Sequence, residues 1–334
     1  MKRGEKESEQ VNNTTIKAYK AEFDKLVTSR ARWECWRDMV HIFALAISNA
    51  VDERFKEKRE EEYHRILDGY TIDQLTTFCN LFSMLIDMMD ENVKRGSFED
   101  VLGQMYMEME LGNDRNGQFF TPYNLTMMMS EMQINDAVDA INAHGFITAN
   151  DPACGAGATL IALADALHRV GINYQQKAFF VGCELDYTTA LMCYIQLSLF
   201  GCAGYVRVGD SLRDPLAPKD VMFGEMESEN CWYTPMWFEE GWQGRMRTRV
   251  IDEVIRNGCV RRADDGDTDS GEHVCAERAG NAEAEAVCSD ERVHGEQEQR
   301  GDGGLHGDEK RKSPKKVLAG QIDIWALAEN DQDV

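Results

Sequence analysis

The chain reads as an α/β protein in which a helical N-terminal part precedes a parallel sheet flanked by helices. Three observations predict this. Large apolar residues recur at three- to four-residue steps through most of the first hundred positions, as on the buried stripe of amphipathic helices. From about Gly145 onward, the short apolar runs FITAND, KAFFVGCELD and GYVRVGDSL alternate with helical stretches over short links, the pattern of a parallel, doubly wound sheet. Each run ends in acids or a glycine, and right-handed crossovers bring such strand ends to one edge of the sheet.

Residues from about 14 to 68 predict helix, with Phe23, Leu26, Trp33, Trp36, Val40, Phe43 and Ile47 on the repeating stripe. Asp52 to Arg65 is mostly charged and predicts a solvated helix face. Thr71 to Met89 predicts a second helix: Thr71 is its N-cap, and Leu75, Phe78, Phe82, Leu85 and Met89 share one side. Ser97 is the expected cap of a short amphipathic helix, FEDVLGQMYMEMEL. These elements make up a helical domain over residues 1–112. An α/β domain is expected over 113–255, where helices TLIALADALHRV and TTALMCYIQLSLFG follow the first two strands and Gly201 stops the second helix. Residues 256–318 are polar, glycine-rich and poor in large apolar residues, so burial cannot offset the entropy of ordering them. One apolar peptide returns within 319–334.

Composition narrows the function. Of 334 residues 43% are hydrophobic, which suits a globular chain of one large or two modest domains. No apolar run is long enough to span a bilayer, and the charged start MKRGEKESEQ does not read as a secretory signal, so no membrane association is expected. The ten cysteines form no CxxC pairs, which predicts neither a metal site nor a disulfide framework and fits a reduced cytoplasm. The net charge is −23; residues 256–334 account for −8 of it, so the body is acidic by itself. Proteins that grip duplex DNA unaided present a basic face, so DNA recognition here calls for a local basic cleft or a partner subunit.

The chemistry-bearing strings follow the strands. Asp151-Pro152-Ala153-Cys154-Gly155-Ala156-Gly157 sits where the first strand gives way to a helix. Glycines there supply positive φ and let a ligand approach the backbone, and the helix N-terminus beside a strand-end acid suits a ligand carrying both a carboxylate and a cationic amine. Glu184 ends the second strand, where a carboxylate accepts hydrogen bonds from ribose hydroxyls; Asp186 is its neighbour. Asp210, in the string Gly209-Asp210-Ser211-Leu212, is placed to meet the exocyclic amine of an adenine ring. Taken singly, each of these is equally a turn or an ordinary strand-end acid.

In this order, DPACGAG, GCELD and GDSL resemble the cofactor motifs of the N6-adenine-specific DNA methylase family, and among its members the methylation subunits of type I restriction-modification systems. Upstream, Gly117-Gln118-Phe119-Phe120-Thr121-Pro122 is similar to the family's GQFxTP motif, and FEDVLGQMYMEMEL resembles the helix before it; the likeness covers roughly residues 97 to 215. It implies a Rossmann-like S-adenosylmethionine-dependent methyltransferase domain and methyl transfer to adenine N6 in DNA. It also implies that Phe120, Thr121 and Pro122 line the methionine side of the pocket and that Asp151, Ala153, Gly155 and Gly157 surround methionine and ribose. Glu184 then takes the ribose and Asp210 the adenine ring.

One motif departs from the family. Its members hold a flipped adenine with an Asn-Pro-Pro-aromatic loop, but the six prolines here are Pro122, Pro152, Pro215, Pro218, Pro235 and Pro314, none adjacent and none after Asn. The nearest substitute is Tyr233-Thr234-Pro235-Met236-Trp237-Phe238, with Tyr233, Pro235 and Trp237 as the candidate acceptor-site residues and a packed aromatic surface as the competing reading. Arg245, Arg247 and Arg249 are candidates for phosphate contact, or else a solvated face. The missing loop leaves open a catalytically silent cofactor-binding or scaffold subunit, or a methyltransferase with another substrate. Finally, Gln321-Ile322-Asp323-Ile324-Trp325 resembles the Gln-anchored peptides that bind the bacterial sliding clamp.

Overall fold

The computed structural model describes residues 15–28, 30–109, 111, 121–216, 228–239, 241–246 and 248. The tail predicted over 256–318, the terminal peptide with its clamp-like motif, Arg247, Arg249 and Phe120 lie outside them.

Helices α1 (residues 15–23), α2 (Arg32–Val51) and α3 (Lys56–Leu67) replace the single helix expected over 14–68. The break after α2 has a local cause. The Asp52 carboxylate accepts the Arg54 backbone N–H at 3.2 Å and pairs with Arg54 Nε at 2.8 Å and Arg59 Nη1 at 3.1 Å, a side-chain turn that competes with helix continuation. The charged segment is therefore more than a solvated face: Asp52 and Arg59 are buried. Arg59 donates to Ser48 Oγ and to the Cys231 carbonyl, and its guanidinium lies 4.1 Å from the Trp232 ring centroid.

Helix α4 (Ile72–Arg95) starts at Thr71 in a reciprocal capping box with Gln74 and ends at Gly96, which takes φ 66°. Helix α5 (Val101–Glu108) is capped by Asp100, whose Oδ1 accepts Gly103 N–H at 2.8 Å; Ser97 lies before the helix and does not cap it. Helix α6 (Tyr123–His144) was not expected. In its first half the pattern is inverted, with Thr126 and Ser130 buried while Leu125, Met128, Met129 and Met132 are exposed; farther on, Ile134, Ala137 and Ile141 pack on the core.

The α/β part follows as β1 (Ile147–Asp151), α7 (Ala158–Arg169), α8 (Tyr174–Lys177), β2 (Ala178–Glu184), α9 (Tyr187–Leu199), β3 (Ala203–Val208) and β4 (Cys231–Tyr233). The sheet order is β1-β2-β3-β4; the first three strands are parallel, with Asp151 opposite Gly182 and Glu184 opposite Val208. Strand β4 is antiparallel to β3. Residues 178–183 of β2 are buried without a break, as expected of a central parallel strand covered on both faces. Phe180 joins the core shared with α2, α7 and α9, while Phe179 and Val181 face a second cluster with Tyr205, Tyr233, Trp237 and Trp242. Helix α9 is buried all round from Thr189 to Leu197 because it lies between the sheet and α2. No helix among the described residues is long and apolar enough to cross a membrane.

Candidate functional site

The strand tips and the loop after β1 are joined by a small set of backbone-to-carboxylate bonds. Asp151 ends β1 and its Oδ1 accepts the Ala153 N–H at 3.0 Å, which turns the chain. Cys154 N–H then donates to the Cys183 carbonyl of β2, so the turn is sewn to the neighbouring strand. Gly155 takes φ 55° and Gly157 φ 100°. Gly157 is the N-cap of α7 and brings no side chain to that role, so the first-turn N–H groups of α7 remain available to an anionic group. A Cβ on Gly157 would stand 2.8 Å from Cys193 Sγ, which shows how closely the loop approaches α9.

Glu184 links this loop to the second strand tip. Its Oε2 accepts Gly155 N–H at 3.0 Å and its Oε1 accepts Asp186 N–H at 3.0 Å. Each carboxylate oxygen has further lone-pair capacity, so a ligand hydroxyl can be added without breaking either bond. Asp186 itself caps α9 through Thr189 N–H at 2.8 Å. At the third tip, Asp210 Oδ1 accepts the N–H groups of Leu212 and Arg213, and Gly209 N–H donates to the Glu184 carbonyl. The buried Arg207 holds the far side of this turn through the Asp214 carboxylate at 3.1 Å and the Asp214 carbonyl.

Two cavities meet at Thr121. One, of about 750 Å³, runs along β1 between α6 and α7 and is also lined by Asp151, Pro152 and Ala153. The other, of about 950 Å³, lies between α5 and α6, with Asp100, Gln104 and Pro122 among its lining residues. Asp151 with Ala153 and Gly155 with Glu184 form two hydrogen-bonded pairs along the loop, Asp210 lies just past the end of the adjoining strand, and of these residues Asp151 and Ala153 join Thr121 in lining the cavity along β1. Cys154, inside the glycine loop, is buried, and its interaction with Cys193 together with burial pushes its thiol well above the ordinary range.

The structure does not bring the Tyr233–Phe238 segment to these strand tips. Tyr233 belongs to β4, and Pro235–Phe238 forms a 3-10 turn after it. Thr234 N–H donates to the Gly204 carbonyl and Thr234 Oγ1 donates to the Cys202 carbonyl, which fixes the segment at the start of β3, whereas the acids gather at the strand ends. Tyr233 is 1% exposed and Trp237 3%, with Trp237 packed 5.3 Å from Phe179 and 5.7 Å from Tyr233 between ring centroids. Arg245 sits near the same end, against Trp242 and the Gln176 carbonyl. Gln196, which contacts the loop from behind at the Ala156 carbonyl and also donates to Asp100, belongs to no motif; its one signal was a lone amide in the apolar run YIQLSL.

A family model described as N-6 DNA methylase matches residues 97–290. The chain is also 27% identical over 171 residues to the type I restriction enzyme MjaIX methylase subunit of Methanocaldococcus jannaschii; the matched stretch is 49% of this chain and 28% of that relative.

Proposed function

The chain belongs to the N-6 DNA methylase family, and from that premise we propose that its parallel strands form the Rossmann-like core of an S-adenosylmethionine-dependent methyltransferase acting on adenine N6 in DNA. The observation that carries this reading is the rim of carboxylates at the three strand tips, Asp151, Glu184 and Asp210, around a loop opened by two positive-φ glycines. That donor-poor, acceptor-rich set fits a ligand that presents ribose hydroxyls, an ammonium and an adenine amine, and the uncapped start of α7 fits its carboxylate. S-adenosylmethionine, when bound, supplies the electrophilic methyl group. Asp151, Ala153, Gly155 and Gly157 then surround methionine and ribose, Glu184 holds the ribose and Asp210 the adenine ring. Thr121 and Pro122, with Phe120, close the methionine side.

The acceptor half rests on a partner. No Asn-Pro-Pro-aromatic string exists in the sequence, and the substitute segment is buried at the other end of the strands. With a net charge of −23, a partner subunit also supplies the basic surface that DNA requires. The same missing string favours a second reading, a cofactor-binding but catalytically silent subunit of a DNA-modification assembly.

Two measurements separate these readings. Calorimetry should detect S-adenosylmethionine binding that Gly155→Trp or Asp151→Ala weakens; equal affinity in both variants would overturn the pocket. Transfer of a labelled methyl group to host DNA, with candidate partners added, supports the methyltransferase reading; binding without transfer to any acceptor supports the silent one. Label found in protein or small molecules instead identifies a different substrate.

A further inference from the structure

Gln196 approaches the glycine loop from the core side. It is fully buried in the middle of α9, and its polar atoms are all engaged. Nε2 donates to the Ala156 carbonyl at 2.8 Å and to Asp100 Oδ1 at 2.8 Å, while Oε1 accepts Leu102 N–H at 3.0 Å. Desolvating an amide inside an apolar helix is unfavourable unless it is fully hydrogen-bonded, so this side chain is tied to one arrangement of its neighbours.

What it holds is a single peptide plane. The Ala156 carbonyl is fixed by Gln196, and the Gly157 N–H of the same planar unit donates to the Cys154 carbonyl at 2.8 Å. Glycines at positive φ stand on both sides of Ala156, so an unanchored plane here would rotate with little steric resistance. We propose that Gln196 is a positioning residue: it fixes the Ala156–Gly157 peptide, thereby sets the shape of the loop that takes S-adenosylmethionine, and couples that loop to the Asp100 cap of α5. The ligand in this statement rests on the function proposed above; the positioning does not.

Two substitutions test it. Gln196→Glu places a second carboxylate against Asp100 in the core and lowers the melting temperature. Adding Asp100→Asn removes the charge clash and keeps a good N-cap for α5, so part of the lost stability returns. The new side chain at 196 has neither N–H of the amide, and while ionised it cannot donate to the Ala156 carbonyl. The double variant should therefore melt above the Gln196→Glu variant yet bind S-adenosylmethionine about tenfold more weakly than wild type by calorimetry, a difference of about 1.4 kcal/mol. Its Gly157 amide should also exchange with solvent faster in the absence of ligand. Affinity that recovers together with the melting temperature, or unchanged Gly157 exchange, overturns the proposal. Faster exchange in a protein whose wild type binds no S-adenosylmethionine instead removes the assigned ligand and leaves the positioning role standing.

Discussion

Replacing Gly157 with alanine should destabilise the protein by about 3 kcal/mol, from two separable sources. The first is backbone strain: at φ 100° a Cβ is disfavoured, worth about 1–2 kcal/mol. The second is overpacking, because the added carbon would stand 2.8 Å from Cys193 Sγ and 3.5 Å from Cys193 Cα. Helix α9 is buried along that stretch and has no room to retreat, so about 1–3 kcal/mol more is expected. Cys193→Ala removes the clashing sulfur but not the strain. Urea unfolding of the four proteins in this cycle should give a coupling of about 1–2 kcal/mol, with Gly157→Ala costing only the strain in the Cys193→Ala background. If Gly157→Ala is equally destabilising in both backgrounds, the sulfur contact is not the source; a loss under about 0.5 kcal/mol would refute the backbone argument as well.

Three further outcomes are expected. Glu184→Gln puts an amide where both carboxylate oxygens accept backbone N–H groups, and should weaken S-adenosylmethionine binding roughly 10- to 100-fold by calorimetry; unchanged affinity would remove Glu184 from the site. Burial raises the Asp52 carboxyl, but hydrogen bonds from Arg54 and the charges of Arg54 and Arg59 outweigh it and hold it below the ordinary carboxylate value. A depressed pKa stabilises fully above the unfolded value of about 3.9 and less as pH falls through the folded one, so below about pH 4 the wild type should lose stability more steeply than Asp52→Asn, and parallel acid titrations would contradict this. Trp237→Ala should destabilise by about 3–5 kcal/mol while leaving cofactor affinity per folded molecule unchanged; loss of methyl transfer at full stability would place Trp237 in an active site instead.

The strands and the glycine loop were legible because they obey local rules. FITAND, KAFFVGCELD and GYVRVGDSL became β1, β2 and β3, and Thr71 as an N-cap marked the start of α4. Features decided by tertiary packing were not. The first half of α6 exposes methionines and buries hydroxyls, so periodicity there points to the wrong face. The burial of Asp52 beyond its local turn to Arg54 comes with Arg59, seven residues on, which packs on Trp232, far along the chain. Tyr233–Phe238 has the composition of a base-stacking loop, but the pairing of β4 with β3 turns its rings into the core. Gln196 gave only a lone amide in an apolar run as its signal, because its value lies in three partners from two distant segments, Ala156 and the Asp100–Leu102 turn.

The reach of Arg59 from α3 to the face of Trp232 and the carbonyl of Cys231 ties the N-terminal helices to the last strand of the sheet. Arg54, on the same stretch, covers the ring of Tyr233. A shortened protein beginning at α4 would strip both aromatic faces and deprive the Cys231 carbonyl of its arginine donor, leaving a sticky sheet edge. Dissection of this chain into an α/β half and a helical half should therefore yield aggregates, and proteolysis of the intact protein should find no early cut between α2 and α3.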